Sequence, residues 1–130
     1  MGAWGTAAFD NDDAMDWVID LENDGIAAVE SALREALGPG ELEMPTDVNA
    51  IAAGEVIAAA LGRPVLGLRP EVAVLVDGLA GNVTPEHAAR AKTAVERVLA
   101  GSEVQELWGE TDDEDEWRGL VLDLIQRLSA

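Results

Sequence analysis

The sixteen residues from Thr46 to Leu61 read Thr-Asp-Val-Asn-Ala-Ile-Ala-Ala-Gly-Glu-Val-Ile-Ala-Ala-Ala-Leu and are apolar or small on every helical face. A helix with no polar side has to be enclosed by other elements, so this stretch predicts a central post with neighbours all round. At about 1.5 Å per residue it is roughly 24 Å long, enough to cross a small domain but too short and too closely flanked by charge to span a bilayer. Thr46 and Asp47 offer N-caps, and Gly62 with Pro64 closes the far end. Helical winding places Glu55 between Ala52 and Ala59 and near Val48 and Ile51, a lone carboxylate on an apolar stripe. An unpartnered buried carboxylate costs several kcal/mol, so Glu55 is expected to be buried and paired. The candidate partners are Arg63, Arg97, the Trp4 indole and the backbone amides of Gly2 to Gly5. A satisfied core carboxylate that pins the N-terminal segment is favoured over a catalytic acid.

The 130 residues fit one domain, residues 1–130, and 48% hydrophobic residues is enough for a real core. Cysteine is absent, which excludes disulfides, thiolate metal sites and a cysteine nucleophile. The opening Met-Gly-Ala-Trp-Gly-Thr lacks the basic and apolar regions of a secretory signal, and no stretch reaches membrane-spanning length, so a cytoplasmic location and no membrane association are expected. With 26 acids against 8 bases the formal charge is -18, which argues against direct nucleic-acid binding and favours basic partners or cations. Seven acids and no base fall between Asp10 and Asp24, and six of the seven residues from Glu110 to Glu116 are acids, so half of all the acids occupy two short runs. Acidity that only keeps the protein soluble is the plainer explanation for the same numbers.

Around the central helix the remaining segments read as helices too, which makes the chain all-α with about seven of them. Asp10 or Asn11 caps a first helix whose Ala14, Trp17, Val18 and Leu21 face the core and whose Asp13, Asp16 and Asp20 face away. Ile26, Val29, Leu33 and Leu37 mark a second helix ended by Gly38-Pro39-Gly40, forming a short-looped hairpin with the first. Pro70 stands at the first position of an apolar helix to Leu79, preferred over a strand at Val72 to Val76 because no other segment alternates with period two. Thr84-Pro85-Glu86 opens a helix to about Ala100. Ser102 with Gln105, and Thr111 with Glu114, are capping-box patterns opening a short helix to Trp108 and a last helix carrying Trp117, Leu120, Val121, Leu124, Ile125 and Leu128. Trp4, Trp17, Trp108 and Trp117 are all expected in the core, with the first and last helices near each other.

The elements Trp4-Gly5, Phe9, Asn11-Asp12 and Asp16-Trp17 resemble the start of a bacterial family called domain of unknown function 4259. The resemblance extends along the chain through the Ala-rich helix with Gly54-Glu55-Val56 and the late Glu-Leu-Trp and Glu-Trp segments. As the family's name states, it carries no assigned chemistry, so the resemblance implies no catalytic residue.

Asp12-Asp13-x-x-Asp16-Trp17 and Asp112-Asp113-x-x-Glu116-Trp117 share one pattern. Capping and helix-dipole preferences generate such acid-rich helix starts without any function. The functional reading is a partner-binding acidic surface of Asp12, Asp13, Asp16, Asp20, Asp112, Asp113 and Glu116, formed if the terminal helices lie side by side. The two acid runs are also the material for a Mg²⁺ or Ca²⁺ site, although the spacing matches no EF-hand loop, and carboxylate-only metal hydrolysis would use Glu55 or the ridge of Asp12, Asp16 and Asp20. Whether any metal binds is left open, and no cofactor is expected. His87 is the only histidine and reads as a surface residue; tyrosine is absent, and no phosphate-binding loop or zinc spacing occurs. The chain is therefore expected to be a non-enzymatic interaction module for a basic protein partner, in an inhibitory, immunity or regulatory role. The alternative is a divalent-metal-dependent hydrolase using helix-borne carboxylates. The sequence sets no oligomeric state.

Overall fold

In the computed structural model, which describes residues 3–130, every described segment of regular structure is helical. The helices are α1 (Asp12–Asp24), α2 (Ile26–Ala36), α3 (Thr46–Ala60), α4 (Pro70–Leu79), α5 (Pro85–Ala100), α6 (Glu103–Gly109) and α7 (Glu114–Ser129), with a 3-10 turn at Ala80–Asn82 after α4. The chain is all-α, and the segment Val72 to Val76 is helical. No helix among the described residues is long and apolar enough to cross a membrane.

Each of the other six helices touches α3, whose residues are buried from Asp47 to Ala58 with Asn49 the exception. Its small side chains let neighbouring backbones come close. Gly54 faces α5 and α7 so tightly that a Cβ there would stand 3.1 Å from Leu124 Cδ2 and 3.2 Å from Val95 Cγ2. The surrounding helices each bury one stripe: Ala14, Trp17, Val18 and Leu21 on α1, Ala28, Val29, Ala32, Leu33 and Ala36 on α2, and Trp117, Val121, Leu124 and Leu128 on α7. Burying a Leu, Val or Ile side chain contributes roughly 1.5–3 kcal/mol, which makes this shared core the main favourable term in folding.

The first and last helices do not lie side by side along their lengths. α1 packs on α2, α3 and α4, whereas α7 packs on α5, α3 and α6. Trp17 and Trp117 are core residues and Trp108 is half-buried against the core, but Trp4 is 58% exposed, contrary to the sequence expectation. The reason is local: residues 3–11 close on themselves and turn the indole outward.

Several helix ends are capped as their residues suggest. Asn11 Oδ1 accepts from the Ala14 N–H at 2.8 Å, Ser102 Oγ accepts from the Gln105 N–H at 3.2 Å, and Thr84 forms a capping box with His87. Two others differ. The cap position of α7 is Asp113, and the Thr111 hydroxyl instead accepts from the Asp113 N–H at 3.2 Å. The cap position of α3 is Pro45, which leaves Asp47 inside the first turn.

Asp47 serves another helix. Its Oδ1 accepts from the Val48 N–H at 2.7 Å, while Oδ2 accepts from the Val104 N–H at 2.8 Å, giving the first turn of α6 an acceptor from α3. The same joint is stitched by Glu103 N–H to the Leu42 carbonyl and Met44 N–H to Glu103 Oε1, both at 2.8 Å. Burial pushes the Asp47 carboxyl up to about 6, against the pull of the Val104 and Val48 amides. An acid whose folded pKa lies above its unfolded value of about 4 binds its proton more tightly when folded. Its contribution to stability is therefore greatest at low pH and declines as the pH rises towards 6. Urea unfolding of the wild type and Asp47→Asn across this range is expected to show the wild-type advantage falling from about pH 4 to about pH 6 and levelling off above. A difference that rises or stays flat with pH contradicts the assignment.

Candidate functional site

The segment ahead of α1 forms a small closed loop. Trp4 N–H donates to the Asp10 carbonyl at 2.9 Å, and Ala3 pairs with Asn11 in an isolated antiparallel bridge. Gly5 packs against the Asp10 side chain, where a Cβ would run into Oδ2 and push that carboxylate aside. Asn11 ties the loop to α1, its amide donating at 3.2 Å to the Ala8 carbonyl while its oxygen caps the helix. The Thr6 hydroxyl donates to Glu116 Oε1 at 2.5 Å, so the loop bridges the starts of α1 and α7.

Beneath this loop lies a cavity of about 190 Å³. Its walls are Val48, Ile51 and Glu55 of α3, Val104 and Trp108 of α6, Trp117, Leu120 and Val121 of α7, and Met44, with Asn11, Asp12 and Asp13 at the start of α1. All three charged residues that line it, Asp12, Asp13 and Glu55, are acids.

Glu55 is 5% exposed, and its partner is Arg127. The pairing is a two-pronged fork, Nη1 to Oε1 at 2.9 Å and Nη2 to Oε2 at 3.0 Å. Arg127 also donates through Nε to Asp123 at 2.8 Å and through Nη1 to the Arg63 carbonyl at 3.2 Å. The expected partners are engaged elsewhere. Arg63 Nε donates to the Arg127 carbonyl at 2.6 Å, and Arg97 satisfies the Ala36, Gly38 and Gly40 carbonyls at the end of α2. Trp4 points to solvent, and Gly2 lies outside the described residues. Burial raises the Glu55 carboxyl above the usual glutamate range despite the opposing pull of Arg127. Burial works against the charge on Arg127 too, but Glu55 and Asp123 outweigh it and hold the guanidinium above its ordinary value. The group therefore holds two carboxylates around one guanidinium.

The acidic residues singled out by the sequence are divided by the fold. Asp12 and Asp13 line the cavity, and Glu116 is held at its edge by Thr6. Asp112 and Asp113 are exposed on the turn ahead of α7. Asp16 faces a shallow groove between α1 and α4, and Asp20 another between α1 and α2. None of these aspartates forms an ion pair among the described residues. Among the described residues no group of three or more histidine, aspartate or glutamate side chains is placed to hold a metal ion. His87 is less a surface residue than a joint: Nδ1 accepts from the Thr84 N–H at 3.0 Å while Nε2 lies 3.1 Å from Glu30 Oε2 on α2. Neither the cavity nor the Asp47 joint is legible in the sequence, because both arise where segments distant in the chain meet.

Removing Arg127 alone strands a buried carboxylate, so Arg127→Met is expected to cost about 3–5 kcal/mol of unfolding free energy in urea at neutral pH. Combining it with Glu55→Leu should recover most of that loss, since a packed apolar pair replaces a buried ion pair at little cost. A loss below about 1 kcal/mol for Arg127→Met would place the pair with exposed salt bridges.

Neither the curated proteins nor the solved structures contain a significant match to this chain. One family model matches residues 2–119, which takes in the loop, the cavity and Glu55 and stops short of Arg127. The chain belongs to the family described as domain of unknown function (DUF4259).

Proposed function

We propose that the protein is a non-enzymatic interaction module that binds a basic protein partner through the acidic face around the starts of α1 and α7, in an inhibitory, immunity or regulatory role. The observation that carries this reading is the joining of the two acid runs by the Thr6 to Glu116 hydrogen bond over one cavity. The aspartates around it have no cationic partner within the described chain, so their charge is available to another molecule. An acidic face of this kind speeds encounter with a basic surface and makes binding sensitive to salt. The metal-dependent hydrolase has less support, because the described carboxylates do not converge into a ligand set.

A charge of -18 attracts cations wherever it sits, so the test has to separate position from quantity. Binding of a lysine-rich peptide is measured by fluorescence anisotropy at two ionic strengths for two variants of equal net charge. One carries amides at Asp12, Asp13, Asp16, Asp112, Asp113 and Glu116; the other carries amides at the exposed Glu22, Glu35, Glu41, Glu43, Glu86 and Glu96. The first is expected to lose at least about tenfold in affinity, equivalent to 1.4 kcal/mol, and the second to stay near wild type. Equal losses would mean that the acidity acts only through net charge.

A further inference from the structure

We propose that the cavity under the N-terminal loop is a binding site for a single cationic aliphatic side chain, a lysine or arginine of the basic partner, whose charged head reaches Glu55 and whose stem lies along Met44, Trp108 and Trp117. This rests on the preceding reading and specifies how the partner is held. The volume of about 190 Å³ suits one side chain. The charge of the lining selects the sign of the occupant, because Asp12 and Asp13 stand at the α1 side and Glu55 on α3, with no basic side chain among the lining residues. The low-dielectric walls sharpen that preference by focusing the field of the carboxylates.

Glu55 has capacity for a second donor. Each of its oxygens accepts one N–H from Arg127, and a carboxylate oxygen can accept two. No other donor of the described chain uses what is left. The charge balance also leaves room, since Glu55 and Asp123 share one guanidinium. Long basic side chains bury their methylenes along apolar surface while the head finds a polar partner, and the cavity lining holds both kinds of group. An anionic ligand would meet three carboxylates, and a bare metal ion would meet walls of valine, isoleucine and tryptophan.

The test uses the full chain with N-acetyl-lysine N-methylamide, its arginine counterpart and the neutral isostere N-acetyl-norleucine N-methylamide, followed by ¹H–¹⁵N NMR. The two cationic amides are expected to shift the Trp108 and Trp117 indole signals and the amides around Glu55, binding at least about tenfold more tightly than the norleucine amide. Asp12→Asn with Asp13→Asn, which leaves the core pair untouched, is expected to weaken lysine-amide binding several-fold. Asp112→Asn with Asp113→Asn, outside the cavity, should leave it unchanged. Equal binding of the norleucine amide, shifts confined to exposed acids, or no shift up to the solubility of the probes would each overturn the proposal. A chain that binds the lysine-rich peptide but not the lysine amide would lose the cavity and keep the acidic face; the reverse result would keep the cavity and lose the wider face.

Discussion

A helix with no polar face cannot sit at a surface without exposing apolar area, and every other helix of this chain is arranged to prevent that for α3. Alanine and glycine along α3 bring the neighbours close, as at Gly54, where Leu124 and Val95 come within contact distance of a position with no side chain. Close packing of this kind leaves little freedom to accommodate a charge. The Glu55 carboxylate is therefore held by a fork from Arg127 of α7, and the two helices are joined by polar geometry as well as by apolar contact.

The apolar periodicity of α1, α2, α5 and α7, together with their turn residues, made the helical class and most boundaries readable from the sequence, because amphipathic stripes and local caps are short-range signals. Partner choice was not readable in the same way. Glu55 asked for a cation, and Arg63 and Arg97 were the arginines expected to supply it; the packing of α7 on α3 brings Arg127 instead, seventy-two residues away. Asp47 looked like a cap for its own helix, but Pro45 holds the cap position and the α6 amides meet the carboxylate instead. Trp4 shows the opposite failure, in which an intrinsically buriable side chain is turned outward by a loop that bonds to itself.

The acidic runs illustrate how a pattern can be correct in outline and altered in geometry. The helices that carry them do not align, yet the loop from Ala3 to Asn11 draws their starts to one opening. The carboxylates there have different surroundings: those of Asp12, Asp112 and Asp113 are in water, where salt screens them, whereas Glu55 is desolvated at the wall of the cavity. Long-range attraction belongs to the first group and close selectivity to the second.

That division requires Glu55 to be charged, since a protonated Glu55 would make the inner wall of the cavity neutral and leave Arg127 with Asp123 as its one charged partner among the described residues. Carboxyl ¹³C NMR of the Glu55 side chain, assigned by comparison with Glu55→Gln and followed as the pH is lowered, measures this directly. The account requires an ionised signal at neutral pH that titrates above the ordinary glutamate range. A carboxyl already protonated at neutral pH would contradict it.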